Sequence, residues 1–391
     1  MKIVFWIALF FVFYTYIGYG ILLYIIIRLK RLFVGRPHEA VLPADEELPT
    51  MTLMICAYNE EDIVKEKMAN TLALDYPKDK FRIMWVTDGS NDHTNELLAA
   101  YPEVDIVFSP ERRGKTAALK HGLRELKTRY VAFTDANTMI NTGALREIAR
   151  LFSDPTVGCV SGEKRVAARK AGEMASEGEG LYWRYESTLK RWDSELYSAM
   201  GAAGELYAID PQLCREVPDE ALLDDFMLSM YVVQAGKRIA YTSDAYAREY
   251  GSANIYEESK RKRRIAAGGL QSIWWLRSML NPLRQPLVTF QYVSHRVLRW
   301  SITPVAMVLL LIVNIALVAM GAGTFYTVML ILQTLFYLMA LAGWLTNRFG
   351  YKNKLLYTAY YFMFMNFNVF RGMAYLRSHG KSGAWEKAKR S

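Results

Sequence analysis

From Ile3 to Ile27 the chain runs for 25 residues without a formal charge, which restricts that stretch to a bilayer or a deep core. As a helix it would extend about 38 Å against a hydrocarbon core of about 30 Å, enough to span with tilt. Aromatics and isoleucines run straight into Arg28, Lys30, Arg31 and Arg36 with no small-residue cleavage site, so a retained anchor is expected rather than a signal peptide. Those four cations follow the span and only Lys2 precedes it. The positive-inside rule therefore predicts a cytoplasmic domain next, in a multi-pass protein of the inner (plasma) membrane.

A second charge-free region, Ser301 to Asn347, is divided by Gly321-Ala322-Gly323 and predicts a helical hairpin, with Arg348, Lys352 and Lys354 marking its return. Leu355 to Phe370 is 16 residues long, carries Asn366 and Asn368, and is followed by six Lys/Arg. It reads equally as a third C-terminal span or as a re-entrant or interfacial piece. Between the soluble part and the hairpin, Trp274, Trp275, Phe290, Tyr292 and Trp300 mix with Arg277, Arg284, Arg296 and Arg299. Interfacial helices with cations reaching for headgroups are expected there, ordinary core helices being the alternative. The expected organisation is an anchor over 1–30, a globular domain over 49–270, interfacial helices over 271–300, a transmembrane region over 301–375 and a basic tail over 376–391.

Three widely spaced cysteines (Cys56, Cys159, Cys214) and five histidines without metal-ligand spacing suggest neither disulfides nor zinc. Any metal would have oxygen ligands. The net charge of +9 concentrates beside hydrophobic segments and in Lys260–Arg264. Membrane surface and phosphate fit this better than nucleic acid, for which no recognition helix is legible.

Within the soluble part, short apolar runs alternate with helical patterns: Met51 to Ala57, Phe81 to Thr87, Val104 to Phe108 and Tyr130 to Thr134. This rhythm predicts an α/β fold with a mainly parallel sheet, whose ligands bind beyond the carboxyl ends of the strands. The residues there are Tyr58-Asn59-Glu60, Asp88-Gly89-Ser90 and Asp135-Ala136-Asn137. Neither a dinucleotide glycine fingerprint nor a P-loop occurs. Taken singly, an Asp-Gly-Ser after a strand is more often a turn or helix cap than a ligand.

The order of these motifs resembles the family 2 glycosyltransferases of GT-A fold, particularly the membrane branch of cellulose, chitin, hyaluronan and poly-N-acetylglucosamine synthases. The resemblance covers about Pro49 to Ser272. It implies that Tyr58, Glu60 and Asp88 contact the nucleotide, and that Lys115, in Gly114-Lys115-Thr116, offsets donor phosphate charge. Asp135 and Asn137 stand where the family has Asp-x-Asp, which binds Mg²⁺ or Mn²⁺ with the diphosphate; an amide in the second place lowers the charge at the ion. In Leu223-Asp224-Asp225 the last carboxylate inherits the role of general base, with Asp224 on the acceptor side. Capping of the following helix, Phe226 to Gln234, is compatible with that role.

Arg261-Lys262-Arg263-Arg264-Ile265 aligns with Gln-x-x-Arg-Trp. Arg261 and Arg264 are thereby assigned to the diphosphate, with a lipid-phosphate patch as the alternative. Ile265 removes the aromatic platform on which a polymer would slide. Gly201 and Gly204 are similar to the family's small residues beside the acceptor channel, although a turn before a strand explains them equally.

The resemblance thus implies a membrane-bound inverting enzyme that uses a UDP-sugar, UDP-N-acetylglucosamine or UDP-glucose, to form β-glycosidic bonds in a polysaccharide or oligosaccharide, with a glycan or lipid acceptor. Secretion of a polymer would call for an export partner or a homo-oligomer. A glycolipid synthase making one or few transfers is the alternative. A catalytically silent scaffold that binds nucleotide sugar is a third reading, permitted by Asn137 and Ile265.

Overall fold

The computed structural model describes residues 1–35, 41–167, 174–252, 255–349, 351 and 353–379. Arg36, Lys352 and the part of the basic tail beyond His379 lie outside the described residues.

Eight strands form one sheet: β1 (Met51–Ala57), β2 (Phe81–Asp88), β3 (Val104–Ser109), β4 (Tyr130–Asp135), β5 (Met139–Ile140), β6 (Val157–Ala167), β7 (Tyr207–Ile209) and β8 (Arg238–Tyr250). Their spatial order is β3-β2-β1-β4-β7-β6-β8-β5. The four expected runs become β1 to β4, paired in parallel, whereas β7 is antiparallel to both β4 and β6. The register sets Cys56 beside Asp135 and Ala57 beside Thr87, so β1, β2 and β4 end along one edge. The alternation of these strands builds a core on each face. Met54, Met84, Val86 and Phe133 pack on one side. Leu53, Ile55, Trp85 and Ala132 pack on the other.

Among the described residues three helices are long and apolar enough to cross a membrane: Lys2–Val34, Ile302–Ala319 and Thr324–Arg348. The last two form the expected hairpin around Gly321 and Gly323. Lys354–His379 is a further continuous helix of 26 residues. Its asparagines face protein: Asn366 accepts from Tyr16 Oη at 2.6 Å, and Asn368 accepts from Ser259 Oγ at 2.9 Å. Gly372 meets Ala266 so closely that an added Cβ would lie 2.8 Å from its methyl group. That polar, small-residue face is what interrupts the apolar run in sequence.

The first helix is fastened to helix Met174–Leu196. Tyr19 donates to the buried Asp193 carboxylate, Arg31 makes a two-pronged pair with Glu195 (2.5 and 2.7 Å), and Lys30 donates to the carbonyls of Glu195 and Leu196. The segment expected to lie in a membrane interface divides in two. Trp274 and Leu283 are exposed, but Tyr292, Arg296, Arg299 and Trp300 are buried. For Arg296 and Arg299 the expectation of headgroup contact is corrected: both turn inward to Glu186, at 2.7 and 2.9 Å, because a buried carboxylate there requires counter-charge.

Candidate active site

A cavity of about 650 Å³ opens at the strand-end edge. Tyr58, Glu60, Asp88, Lys115, Asp135, Asn137, Gly204, Asp224, Asp225, Arg261 and Arg264 all line it, so chemistry-bearing residues from 58 to 264 share one cleft. Gly201 does not line it. A Cβ on Gly201 would overlap the Phe226 ring, and its φ of 93° is one that side chains rarely adopt, so this glycine permits close packing behind the cleft. Gly204 borders the cavity directly, and a Cβ there would stand 3.0 Å from Asp225 Oδ2.

At the end of β2 Asp88 is buried and accepts from the backbone N–H groups of Arg113 (3.0 Å) and Gly114 (2.6 Å). Its carboxylate therefore builds the loop that precedes Lys115, which is the turn-forming role as well as a position on the cavity wall. Gly89 is required beside it, since a Cβ would come within 2.5 Å of the Arg112 backbone nitrogen. Arg112 stacks over the Tyr58 ring at 3.9 Å. Sequence reasoning missed Arg112, whose signal would have been its place two residues before Gly114. Asn59, at φ 52°, exchanges hydrogen bonds with Asn91 and so ties the first strand-end loop to the second.

Lys115 bridges toward the next strand end, its Nζ 2.6 Å from Asp135 Oδ1. Burial works against its charge, but the carboxylates of Asp135, Asp224 and Asp225 outweigh that and raise its pKa above the ordinary lysine value. Below the Asp135 turn, the fully buried Lys67 donates to the Thr138 carbonyl at 2.6 Å and to Thr134 Oγ1 at 3.2 Å, holding the turn from behind. Nothing in the sequence marks that lysine as internal.

Asp224 and Asp225 open helix Asp224–Gln234, whose N-cap is Leu223, so neither carboxylate serves as the N-cap. Asp225 Oδ1 accepts from the Phe226 N–H at 2.7 Å, while Oδ2 faces Gly204. Burial first, then the Asp224 carboxylate, push the Asp225 pKa up to about 6 against the pull of Lys115. A carboxylate so tuned is ionised near neutrality yet basic enough to accept a proton.

The two arginines of the basic run diverge. Arg264 lines the cleft, and its Nε is buried without a hydrogen-bond partner. Burial and then Arg261 lower its pKa, against Asp224, Asp225 and Asp135. Arg261 borders the cavity but directs its guanidinium to Glu179 (2.5 Å) and Glu205 (2.9 Å), in a buried cluster that also holds Lys164 and Glu249. Its assignment to the diphosphate is corrected to a structural one, because three buried carboxylates need both cations. In that cluster Lys164 and Arg261 overcome burial and hold the Glu205 carboxyl well below the usual range.

Among the described residues no group of three or more His, Cys, Asp or Glu side chains is placed to cage a metal. Asp135 and Asn137 nevertheless give two hard oxygen donors at one edge of the cleft, a set that fits a divalent cation whose shell is completed by diphosphate oxygens and water.

The mixed sheet with its cleft at the strand ends has the architecture of the GT-A fold. Residues 52–209 match the family model for glycosyl transferase family 2. Poly-beta-1,6-N-acetyl-D-glucosamine synthase of Staphylococcus aureus (strain MSSA476) is 35% identical over 125 residues, 31% of this chain and 30% of the relative. Beta-monoglucosyldiacylglycerol synthase of Synechocystis sp. is 25% identical over 259 residues, 62% of this chain and 53% of the relative. The chain thus spans from under a third to about half of the length of these relatives. A solved structure, mannosyltransferase PcManGT from Pyrobaculum calidifontis in complex with GDP-Man and Mn²⁺, superposes with a TM-score of 0.68 at 21% identity, over 95% of this chain and 98% of that one. The shared fold therefore extends beyond the matched domain to the flanking helices.

Proposed function

We propose that this chain transfers a sugar from a UDP-sugar to a hydroxyl of a membrane lipid with inversion, at the cytoplasmic face of the inner membrane. The observation that carries the reaction type is the convergence of Asp88, Lys115, Asp135, Asp225 and Arg264 on one cleft. Tyr58 and Arg112 form a stacked pair fit to flank a base, and the N–H groups fixed by Asp88 shape the loop at the phosphates. Lys115 and Arg264 neutralise charge on the departing diphosphate. Asp135 and Asn137 would hold Mg²⁺ or Mn²⁺, which supplies Lewis acidity at the diphosphate when bound. Asp225 accepts the proton of the acceptor hydroxyl as the new bond forms, and Gly204 leaves the space through which that hydroxyl approaches.

The lipid acceptor is favoured by the far wall of the same cavity. Tyr16 from the first helix and Phe362, Met365 and Val369 from helix Lys354–His379 line it, so its apolar side is built from elements beside the candidate spans. Extension of a β-glycan is the second reading, favoured by the sequence similarity to a poly-N-acetylglucosamine synthase; Ile265, in place of an aromatic platform, weakens it. Full-length protein in lipid nanodiscs, given a panel of labelled UDP-sugars with Mn²⁺, separates the readings. Label extracting into organic solvent supports the lipid acceptor, and label retained as water-soluble polymer supports the glycan. Absence of transfer from every donor, with Asp225→Asn indistinguishable from wild type in cells, would leave only the nucleotide-sugar scaffold.

A further inference from the structure

The cavity contains a second group of cations that the donor does not use. Helix Met174–Leu196 presents Tyr182, Glu186 and Lys190 to it at intervals of one turn, and Arg296 and Arg299 join them from the segment before the hairpin. Glu186 is matched twice over, by Arg296 Nη2 at 2.7 Å and Arg299 Nη1 at 2.9 Å. Arg299 still has Nε and Nη2 buried without hydrogen-bond partners. Lys190 is only 3% exposed, lines the cavity, and makes no hydrogen bond or ion pair among the described residues. The indole of Trp183 lies 5.9 Å from its ammonium. An unpaired ammonium in such a place costs several kcal/mol, and burial followed by Arg296 lowers its pKa to about 8. It remains mostly charged at neutral pH, within the field of Asp225.

A buried ammonium without a hydrogen bond or ion pair, beside a guanidinium with two donors that only tyrosine hydroxyls approach, is a seat for an anion. We infer that the acceptor is anionic, with a phosphate or other oxyanion held by Lys190 and Arg299 while its hydroxyl is presented to Asp225. This rests on the transferase reading above and narrows its acceptor to molecules that carry both a hydroxyl and a phosphate or other oxyanion. A lipid phosphodiester with a hydroxylated headgroup and a soluble phosphorylated polyol share that chemistry.

The test uses full-length protein in phosphatidylcholine nanodiscs, with thermal unfolding as the binding readout and glycerol 1-phosphate as the soluble probe. A parallel arm replaces the soluble probe with nanodiscs containing phosphatidylglycerol, and UDP with Mn²⁺ is the donor control. Wild type should be stabilised by the anionic probe, and Lys190→Met should weaken its binding about tenfold or more, the effect of one charge-assisted hydrogen bond. Lys190→Arg should restore it. UDP stabilisation should be equal in all three. A response to phosphatidylglycerol alone assigns the anion to a lipid, and a response to both arms assigns it to the phosphate itself. Equal responses of wild type and Lys190→Met to the anionic probes would overturn the inference, even if transfer is intact. Loss of UDP binding in the wild type would instead strike the transferase reading and leave the phosphate result to be judged separately.

Discussion

Lys115 and Asp135 meet across the strand ends with Nζ 2.6 Å from Oδ1, both side chains open to the cleft. The pair occupies the ground where a diphosphate and its cation would sit, so substrate must exchange this contact for its own. Under the proposed function Lys115 would turn to phosphate oxygen and leave Asp135 available as a ligand. Lys115→Met is expected to lower kcat/KM for the donor about a hundredfold, while half-exposed surroundings keep the loss of stability small. Steady-state kinetics with thermal unfolding on the same samples checks both.

The buried Asp225, with its pKa near 6, fixes the acid limb of the reaction. The base must be ionised, so kcat should fall as pH drops through about 6. Asp224 raises that pKa, and Asp224→Asn should therefore move the limb to lower pH. Asp225→Asn should reduce turnover by about 10² to 10⁴ with UDP binding retained. A pH profile of kcat for wild type and Asp224→Asn is the measurement; an unchanged limb in Asp224→Asn would assign it to another group.

Gly204, at the cleft, and Gly201, packed behind it, should fail in different ways. Gly204→Ala places a methyl 3.0 Å from Asp225 Oδ2, so the carboxylate must shift. A shift of that order costs up to about a hundredfold in kcat, with stability nearly retained. Gly201→Ala strikes the Phe226 ring at a φ of 93° and should lose about 1–3 kcal/mol of stability or more. Urea or thermal unfolding against activity distinguishes the two.

Lys164 stands among Glu179, Glu205 and Glu249, at 3.4 Å from the first and 2.6 Å from the second. Lys164→Met leaves three buried carboxylates with one arginine, and about 3–5 kcal/mol of stability should be lost. Lys164→Met combined with Glu249→Gln should recover part of it, because the pair then leaves together.

The strand ends were legible because their apolar runs are short, end in small or acidic residues, and alternate with helical patterns. Asp88 and Asp135 followed from that order and are brought to one edge by the parallel register of β1, β2 and β4, whereas Asp225, in the first turn of helix Asp224–Gln234, was legible only through the family resemblance. Arg261 was misread because its partners lie 82, 56 and 12 positions away, on three different elements. A local basic run gives no sign of such neighbours. Lys67 and Lys190 were invisible for the complementary reason, since a lone lysine in an amphipathic helix reads as solvated until its surroundings are known. Helix Lys354–His379 defeated hydropathy because its asparagines bond to other helices rather than to water.

Tyr16, Tyr19, Lys30 and Arg31 make the first helix a masonry wall of the catalytic chamber rather than a leash. Cutting the chain after Val34 to obtain a soluble enzyme would breach that chamber on one side, take Tyr19 from Asp193 and take Lys30 and Arg31 from Glu195. Activity lost in such a fragment would then report a missing side of the vessel, not a missing lipid.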